Sequence, residues 1–407
     1  MNQNKLNTIK NSSLSRLQSF ALVLYFFSIH FESWDPFLTG IDYLITKITI
    51  VLYISVSLVN FKEFRVLKKY KEFIIPIIII FIVQTISGYL NQRPGYTEYF
   101  SIILFLHIFT FILILLQCIR DKYAITKALN AFIVGGLLLA FFFLIGFETD
   151  NSFHNRTTIF GINQNMLGIN LSVILILIVH RLIFEKNIDA LLKVGYLIFI
   201  PILIFFLAST GSRSGFLSLL VGFIVMIFFK KTKNILVKLM NLFFGLLLSI
   251  SLFFYFLSNK TIGSRIINTV ETGDLSGRDK YWETIPKLID INPFFGIGKT
   301  GYSYETELMY GTYTSAHNVF LEVVVMGGLV SLIYLFIFLF RLIKQAIINY
   351  KRTYNVLNLS LLSPIIVMSL VGHPLGTKIS WGIFAFIIVS KQNQGTKKQP
   401  AKKWKRI

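Results

Sequence analysis

Cysteine is nearly absent: Cys118 stands alone in 407 residues. No internal disulfide can form, no Cys/His metal spacing exists, and a lone thiol near the end of an apolar run is inert packing. Acidic residues are scarce as well, 19 Asp and Glu against 40 Lys and Arg, and charged residues make up only 14% of the chain. A soluble domain carries about a quarter. No acidic pair has the Asp-x-Asp placement of a metal site, and there is no P-loop and no nucleophile elbow. What is abundant is apolar: 54% hydrophobic residues and a mean hydropathy of +0.67. These proportions describe a polytopic membrane protein.

Apolar runs of about 14 to 24 residues approach bilayer-spanning length. They fall at 17–35, 39–60, 73–90, 99–119, 128–147, 164–183, 194–210, 215–229, 239–258, 317–340, 355–371 and 377–390. The expected fold is therefore an all-α membrane protein of about twelve transmembrane helices, with residues 1–407 forming a single integral membrane domain. The net charge of +21 does not point to nucleic acid, because the basic residues lie in short segments between apolar runs and in the C-terminal tail. Twelve spans put both termini on one side, with Phe61–Glu72, Arg120–Lys127, Arg181–Lys193, Lys230–Lys238 and Arg341–Arg352 beside them. By the positive-inside rule that side is cytoplasmic, facing anionic lipid head groups. The polar start, Met1 to Arg16, reads as a cytoplasmic tail rather than a cleaved signal. Lys47 falls inside the second run, so that span starts later or the side chain snorkels. Pro76 and Pro201 are expected to kink their spans.

One long polar segment, 259–316, lies between the ninth and tenth spans on the external side. A loop of this length without obvious secondary structure is functional or disordered, and its aromatics and glycines argue against disorder. Within it Ser276 is placed to cap a helix from Gly277, with Asp279 completing a box. Trp282, Ile285, Leu288 and Ile289 would then share a face, and Pro286 would interrupt the helix. The other polar clusters, Glu148–Gly161, Thr210–Gly215 and His317, fall on the same side.

Arg213 opens an apolar run behind Gly211-Ser212, an arrangement suited to an anion at a helix N-terminus; the alternative is a snorkelling arginine. Arg278 is either a surface arginine paired with Asp279 or Glu283, or a second anion ligand. Two guanidinium groups on one diphosphate would make chemical sense. Arg156, after His154 and Asn155, is a further external cation. Asn163 and Asn165 can bind sugar hydroxyls or form turns and caps. His317 is either a polar cap or a base for a hydroxyl, with Asn318 to orient it or cap the helix. Gly327 and Gly328 would allow close packing with a neighbouring span. Glu322 is a membrane carboxylate that needs a partner, and His373 is a second candidate base. No nucleotide supply exists outside the cytoplasm, so a substrate must arrive activated, and a lipid diphosphate fits.

These residues resemble the O-antigen ligase and polymerase superfamily over about residues 150 to 375. Arg156 to Asn165 looks like its Arg…Gly…Asn-x-Asn segment, and Arg213-Ser-Gly-Phe-Leu217 is similar to its Arg-x-x-x-Leu motif. Ser276-Gly-Arg278 with Trp282, and Asn292-Pro-Phe-Phe-Gly-Ile-Gly298, look like its large external loop. His317-Asn318 followed by Gly328 is similar to its His-Asn-x9-Gly motif. One departure is Ser331, where ligases often place Gly, Thr or Tyr, and it tilts the resemblance toward the polymerases.

The resemblance implies a metal-independent, inverting glycosyltransferase of the bacterial cytoplasmic (inner) membrane. Arg213, Arg278 and Arg156 would bind the diphosphate of an undecaprenyl-diphosphate-linked glycan donor. His317 would act as general base, and Asn163, Asn165, Asn318 and Trp282 would contact substrate. No cofactor is implied. The acceptor would be a lipid-linked repeat for a polymerase, or lipid A-core or another surface anchor for a ligase, and a chain-length regulator is a further candidate partner. The alternative of another class is a flippase of the lipid-linked glycan, disfavoured because the charges collect at one face and the spans are nearly clean.

Overall fold

The computed structural model describes residues 3–40, 44–59, 68–93, 99–151, 156–185, 187–232, 234–273, 278–313 and 315–390. Nine helices come first: α1 (Gln3–Ser28), α2 (Leu44–Val59), α3 (Lys71–Leu90), α4 (Tyr99–Arg120), α5 (Ala124–Leu144), α6 (Gln164–Phe184), α7 (Ala190–Ser209), α8 (Arg213–Phe229) and α9 (Ile235–Ser258). The polar segment contributes α10 (Lys260–Thr272), α11 (Arg278–Ile291) and α12 (Gly298–Tyr310). After it come α13 (Val319–Thr353), α14 (Leu357–Ser360), α15 (Leu362–Val371) and α16 (Lys378–Val389). Among the described residues the only strands are Thr149–Asp150 and Thr158–Ile159, paired antiparallel.

Eight of these helices are long and apolar enough to cross a membrane. Four shorter apolar helices, Leu44–Val59, Arg213–Phe229, Leu357–Val371 and Lys378–Val389, occupy the remaining expected runs. The chain is an all-α polytopic membrane protein. Lys47 is exposed in the first turn of α2, which begins no later than Leu44, and Pro76 and Pro201 lie inside α3 and α7.

Helix α6 is the inner helix, 72% buried, whereas α9 is 11% buried and peripheral. Small residues bring α8 against α6: a Cβ on Gly215 would come within 2.6 Å of the Gly168 backbone. The Ser172 hydroxyl donates to the Gly215 carbonyl in that contact. Close approach through small residues is how helices pack in an apolar solvent. Here it sets the N-termini of α6 and α8 side by side.

The polar segment departs from expectation by being helical almost throughout. Asn259 ends α9 and caps α10, its side chain accepting from the N–H groups of Thr261 and Ile262. Gly273 and Gly311 close α10 and α12 in the left-handed conformation (φ 70° and 73°), the usual helix stop. Trp282, Ile285, Leu288 and Ile289 do share one face of α11, Ile285 and Leu288 buried and Trp282 and Ile289 half-buried against Ile297, Tyr302, Ala316, Val325 and Met326. Pro286 does not end this helix, which runs through it. The cap at Ser276-Gly277, the partner roles of Asp279, the pair His154-Asn155 and the C-terminal tail lie outside the described residues.

Helix α13 is broken at Gly328 (φ 64°, ψ −170°). The 292–298 segment inserts at the break and replaces the helical bonds lost there. Ile297 N–H donates to the Val325 carbonyl at 2.9 Å, Leu329 N–H to Pro293 at 2.9 Å, and Val330 N–H to Phe294 at 3.2 Å. On its other side the segment is held by α3, with Ser87 donating to the Phe295 carbonyl and Thr300 to that of Gly88. Gly328 therefore admits loop backbone, whereas a Cβ on Gly327 would meet Ser331 and the Gln84 side chain of α3, the close packing with a neighbouring span that was expected of both glycines. The two arms of α13 fold toward each other: Phe320 stacks on Phe336 at 5.3 Å between ring centroids, positions that a straight helix would separate by ~24 Å. The expected single span at 317–340 is thus a short arm, 319–327, followed by Leu329–Thr353, which at ~37 Å crosses a bilayer unaided.

Candidate functional site

A cavity of about 200 Å³ opens where α6, α8, α10 and α11 meet. Arg213 is the first residue of α8, behind its N-cap Ser212, whose side chain accepts from Gly215 N–H. Arg278 is the first residue of α11, and Trp282, one turn on, shares its face. Arg265 and Thr269 sit one turn apart on α10, and Arg213 donates to the Thr269 hydroxyl and, at 3.3 Å, to the Arg265 carbonyl. Arg265 in turn donates to the Gly211 carbonyl. Asn165, Ser214 and Val371 complete the wall.

Three guanidinium groups therefore line one small cavity, and no carboxylate lines it among the described residues. Like charges gathered this closely repel, and the N-termini of α6, α8 and α11 add their positive dipole ends. Burial, and then Arg213, lowers the pKa of Arg278 from its ordinary value. Guanidinium groups placed in this way suit a multivalent anion.

Arg156 stands behind this wall instead of in it. It is 5% exposed, donating from Nε to the Thr210 carbonyl and from a terminal nitrogen to Asn165 Oδ1, both at 2.9 Å. Burial first, then Arg265, Arg213 and Arg278, pushes its pKa down to about 10, so it remains charged at neutral pH. Its visible work is to tie the α7–α8 turn to Asn165. Asn163 caps α6, its Oδ1 taken by the N–H groups of Asn165 and Met166. Asn165 alone of the two lines the cavity.

His317 lies beside the cavity, exposed, just before α13. Trp282 connects the two, donating its indole N–H to the Ala316 carbonyl at 2.8 Å. His317 adopts a left-handed conformation (φ 51°), uncommon for a residue with a side chain. Its N–H donates to Glu322 Oε1 at 3.0 Å and to Ser315 Oγ at 3.1 Å. Asn318 is the N-cap of α13, accepting from Phe320 and Leu321 N–H, and it donates to the Leu370 carbonyl at 3.3 Å. Partial desolvation, then Arg278, lowers the His317 pKa, and Glu322 opposes that shift. The imidazole is thus neutral at pH 7 and equipped to accept a proton. Among the described residues Glu322 has the partners its burial demands, including His373, whose Nε2 lies 3.8 Å from Oε2.

The stretch that builds this arrangement, from the end of α7 through the elbow of α13, also carries the likeness to known proteins. Residues 197–336 match the O-antigen ligase family. The match spans about a third of the chain, and over that stretch the chain is similar to this family. It includes Arg213, Arg265, Arg278, Trp282, His317, Asn318 and Gly328, while Arg156, Asn163 and Asn165 precede it. No curated protein matches the chain.

Sequence reading missed Arg265 and Thr269. Within the matched stretch they sit in a run, Gly263–Thr272, that carries no motif, and only the amphipathic helix α10 brings them to Arg213. The available signal was a further external arginine at helical spacing from a threonine.

Proposed function

We propose that the protein is a glycosyltransferase that moves a glycan from undecaprenyl diphosphate to an acceptor hydroxyl at the external face of the bacterial cytoplasmic membrane. The observation that carries this reading is the convergence of Arg213, Arg265 and Arg278 on one cavity without a lining carboxylate among the described residues, with Trp282 joining it to His317. The concentration of Lys and Arg in the segments on the opposite side of the spans supports the external placement.

In this reading the arginines hold the two phosphates, and Arg156 and Asn165 stiffen the wall behind them. The acceptor oxygen attacks the anomeric carbon from the face opposite the diphosphate, inverting it. The bond from that carbon to the diphosphate oxygen breaks, and the electron pair leaves with undecaprenyl diphosphate. The hydroxyl proton passes to the imidazole of His317. Charge stabilisation on the leaving group and positioning of the acceptor supply most of the rate, without a metal ion.

The growing chain would pass to another lipid-linked repeat, the polymerase form favoured by Ser331. That serine is fully buried, and a Cβ on Gly327 would collide with it. The deciding experiment is a deletion strain examined by surface-glycan gel and lipid extraction. Acceptors capped with one repeat unit identify a polymerase, whereas bare acceptors with long chains on the lipid carrier identify a ligase. If purified protein releases no undecaprenyl diphosphate from a lipid-linked donor but moves that donor between leaflets, it is a flippase and the proposal fails.

A further inference from the structure

Glu322 is the most buried carboxylate near the candidate site, 3% exposed, in the first turn of α13. A carboxylate there gains from the helix dipole, yet Asn318 already caps the helix, so capping does not account for it. Its two oxygens face different elements. Oε1 accepts the His317 N–H and the Ser315 hydroxyl, and Ser315 Oγ shares the same N–H. Oε2 faces His373, in the connection between α15 and α16. Two stretches of chain, the turn before α13 and the connection between α15 and α16, meet on this one side chain, and the first carries His317 in a left-handed backbone conformation that a residue with a side chain rarely adopts. The direction of the imidazole follows from that backbone.

We propose that Glu322 is a positioning residue, holding His317 through its backbone N–H so that the imidazole faces the substrate bound in the arginine cavity. The inference rests on His317 being the base. The groups around the pair come from every packed element: Arg278 on α11, Lys299 and Tyr302 on α12, Tyr313 after it, and His373. Glu322 is the one negative charge among the described groups acting on His317, and it opposes Arg278.

The test uses the purified full-length protein and release of undecaprenyl diphosphate from a lipid-linked donor. Glu322→Gln preserves shape and removes the charge. Its kcat should fall roughly tenfold through lost orientation, with the donor KM within about twofold of the parent. The acid limb of its pH profile should move to lower pH, because the charge that raises the His317 pKa is gone. Unchanged kcat and profile, or a loss confined to KM, overturns the proposal. If Glu322→Gln does not yield monodisperse protein, Ser315→Ala decides: a smaller fall in kcat at constant KM supports the role, and parental kcat overturns it. His317→Ala separates the two readings. Parental turnover in that variant removes the base assignment itself, whereas an undiminished loss on adding Glu322→Gln to the residual activity removes only the positioning role.

Discussion

Trp282 donates its indole N–H to the carbonyl of Ala316, the residue before His317, at 2.8 Å. Since Trp282 also lines the arginine cavity, a single side chain ties the anion site to the candidate base across a helix and a turn. Trp282→Phe keeps most of the ring and loses the donor. One such bond is worth about 1 kcal/mol, or roughly fivefold in rate. We expect kcat/KM to fall by about that factor in Trp282→Phe and further in Trp282→Ala, read as undecaprenyl diphosphate release at equal membrane abundance.

The largest effects are expected at Arg213 and Arg278. Loss of a preorganised group opposite developing charge costs on the order of 10²-fold in rate, and a lysine does not restore the planar fork that a diphosphate engages. Arg213→Lys and Arg278→Lys should both fall well below the parent. Arg265→Ala should fall less, because Arg265 also spends a bond on the Gly211 carbonyl. Turnover in the presence of a chelator should equal that in its absence; a chelator-dependent loss restored by a divalent cation would contradict the reading of arginines as the charge-neutralising groups.

The pH dependence has a definite sign. A base must be deprotonated to act, and the His317 pKa lies below its ordinary 6.5 through desolvation and Arg278. Activity should therefore persist through pH 7 and be lost only as pH falls below that value. Arg278→Gln removes a charge that depresses the pKa, so its residual activity should fade at a higher pH than the parent's. A kcat/KM profile with an acid limb above 7 in the parent would count against His317.

Much of this was readable in the chain. All twelve apolar runs are helical and eight helices reach the length that bilayer thickness demands, although the tenth run is broken at Gly328, and the amphipathic face of α11 followed from spacing alone. Arg213 before the polar segment and Arg278 within it could be singled out because an external arginine needs a reason. Arg265 could not, since its meaning depends on where α10 packs. The capping roles of Asn163 and Asn318, offered by the sequence beside sugar binding, became visible only in the hydrogen bonds. The elbow of α13 was hidden for a different reason: Gly327-Gly328 marks a place where backbone approaches closely, but nothing in the sequence names the backbone that does so.

That backbone is Phe294, and Gly328 shows how tightly it is held. A Cβ there would lie 2.1 Å from the Phe294 carbonyl carbon and oxygen, at a φ of 64°. Gly311 has a similar φ of 73° but nothing within 4 Å. Gly311→Ala should therefore lose only the left-handed penalty, about 1 kcal/mol, and stay folded and active. Gly328→Ala must in addition expel the 292–298 segment or bend α13, breaking the bonds from Leu329 and Val330 to that segment. A loss above about 4 kcal/mol marks such a mechanism. Thermal unfolding in detergent, monitored by monodispersity, should show a small shift for Gly311→Ala and a large one for Gly328→Ala. Equal shifts would mean that the inserted segment does not brace the elbow, and with it the short arm that begins immediately after His317-Asn318.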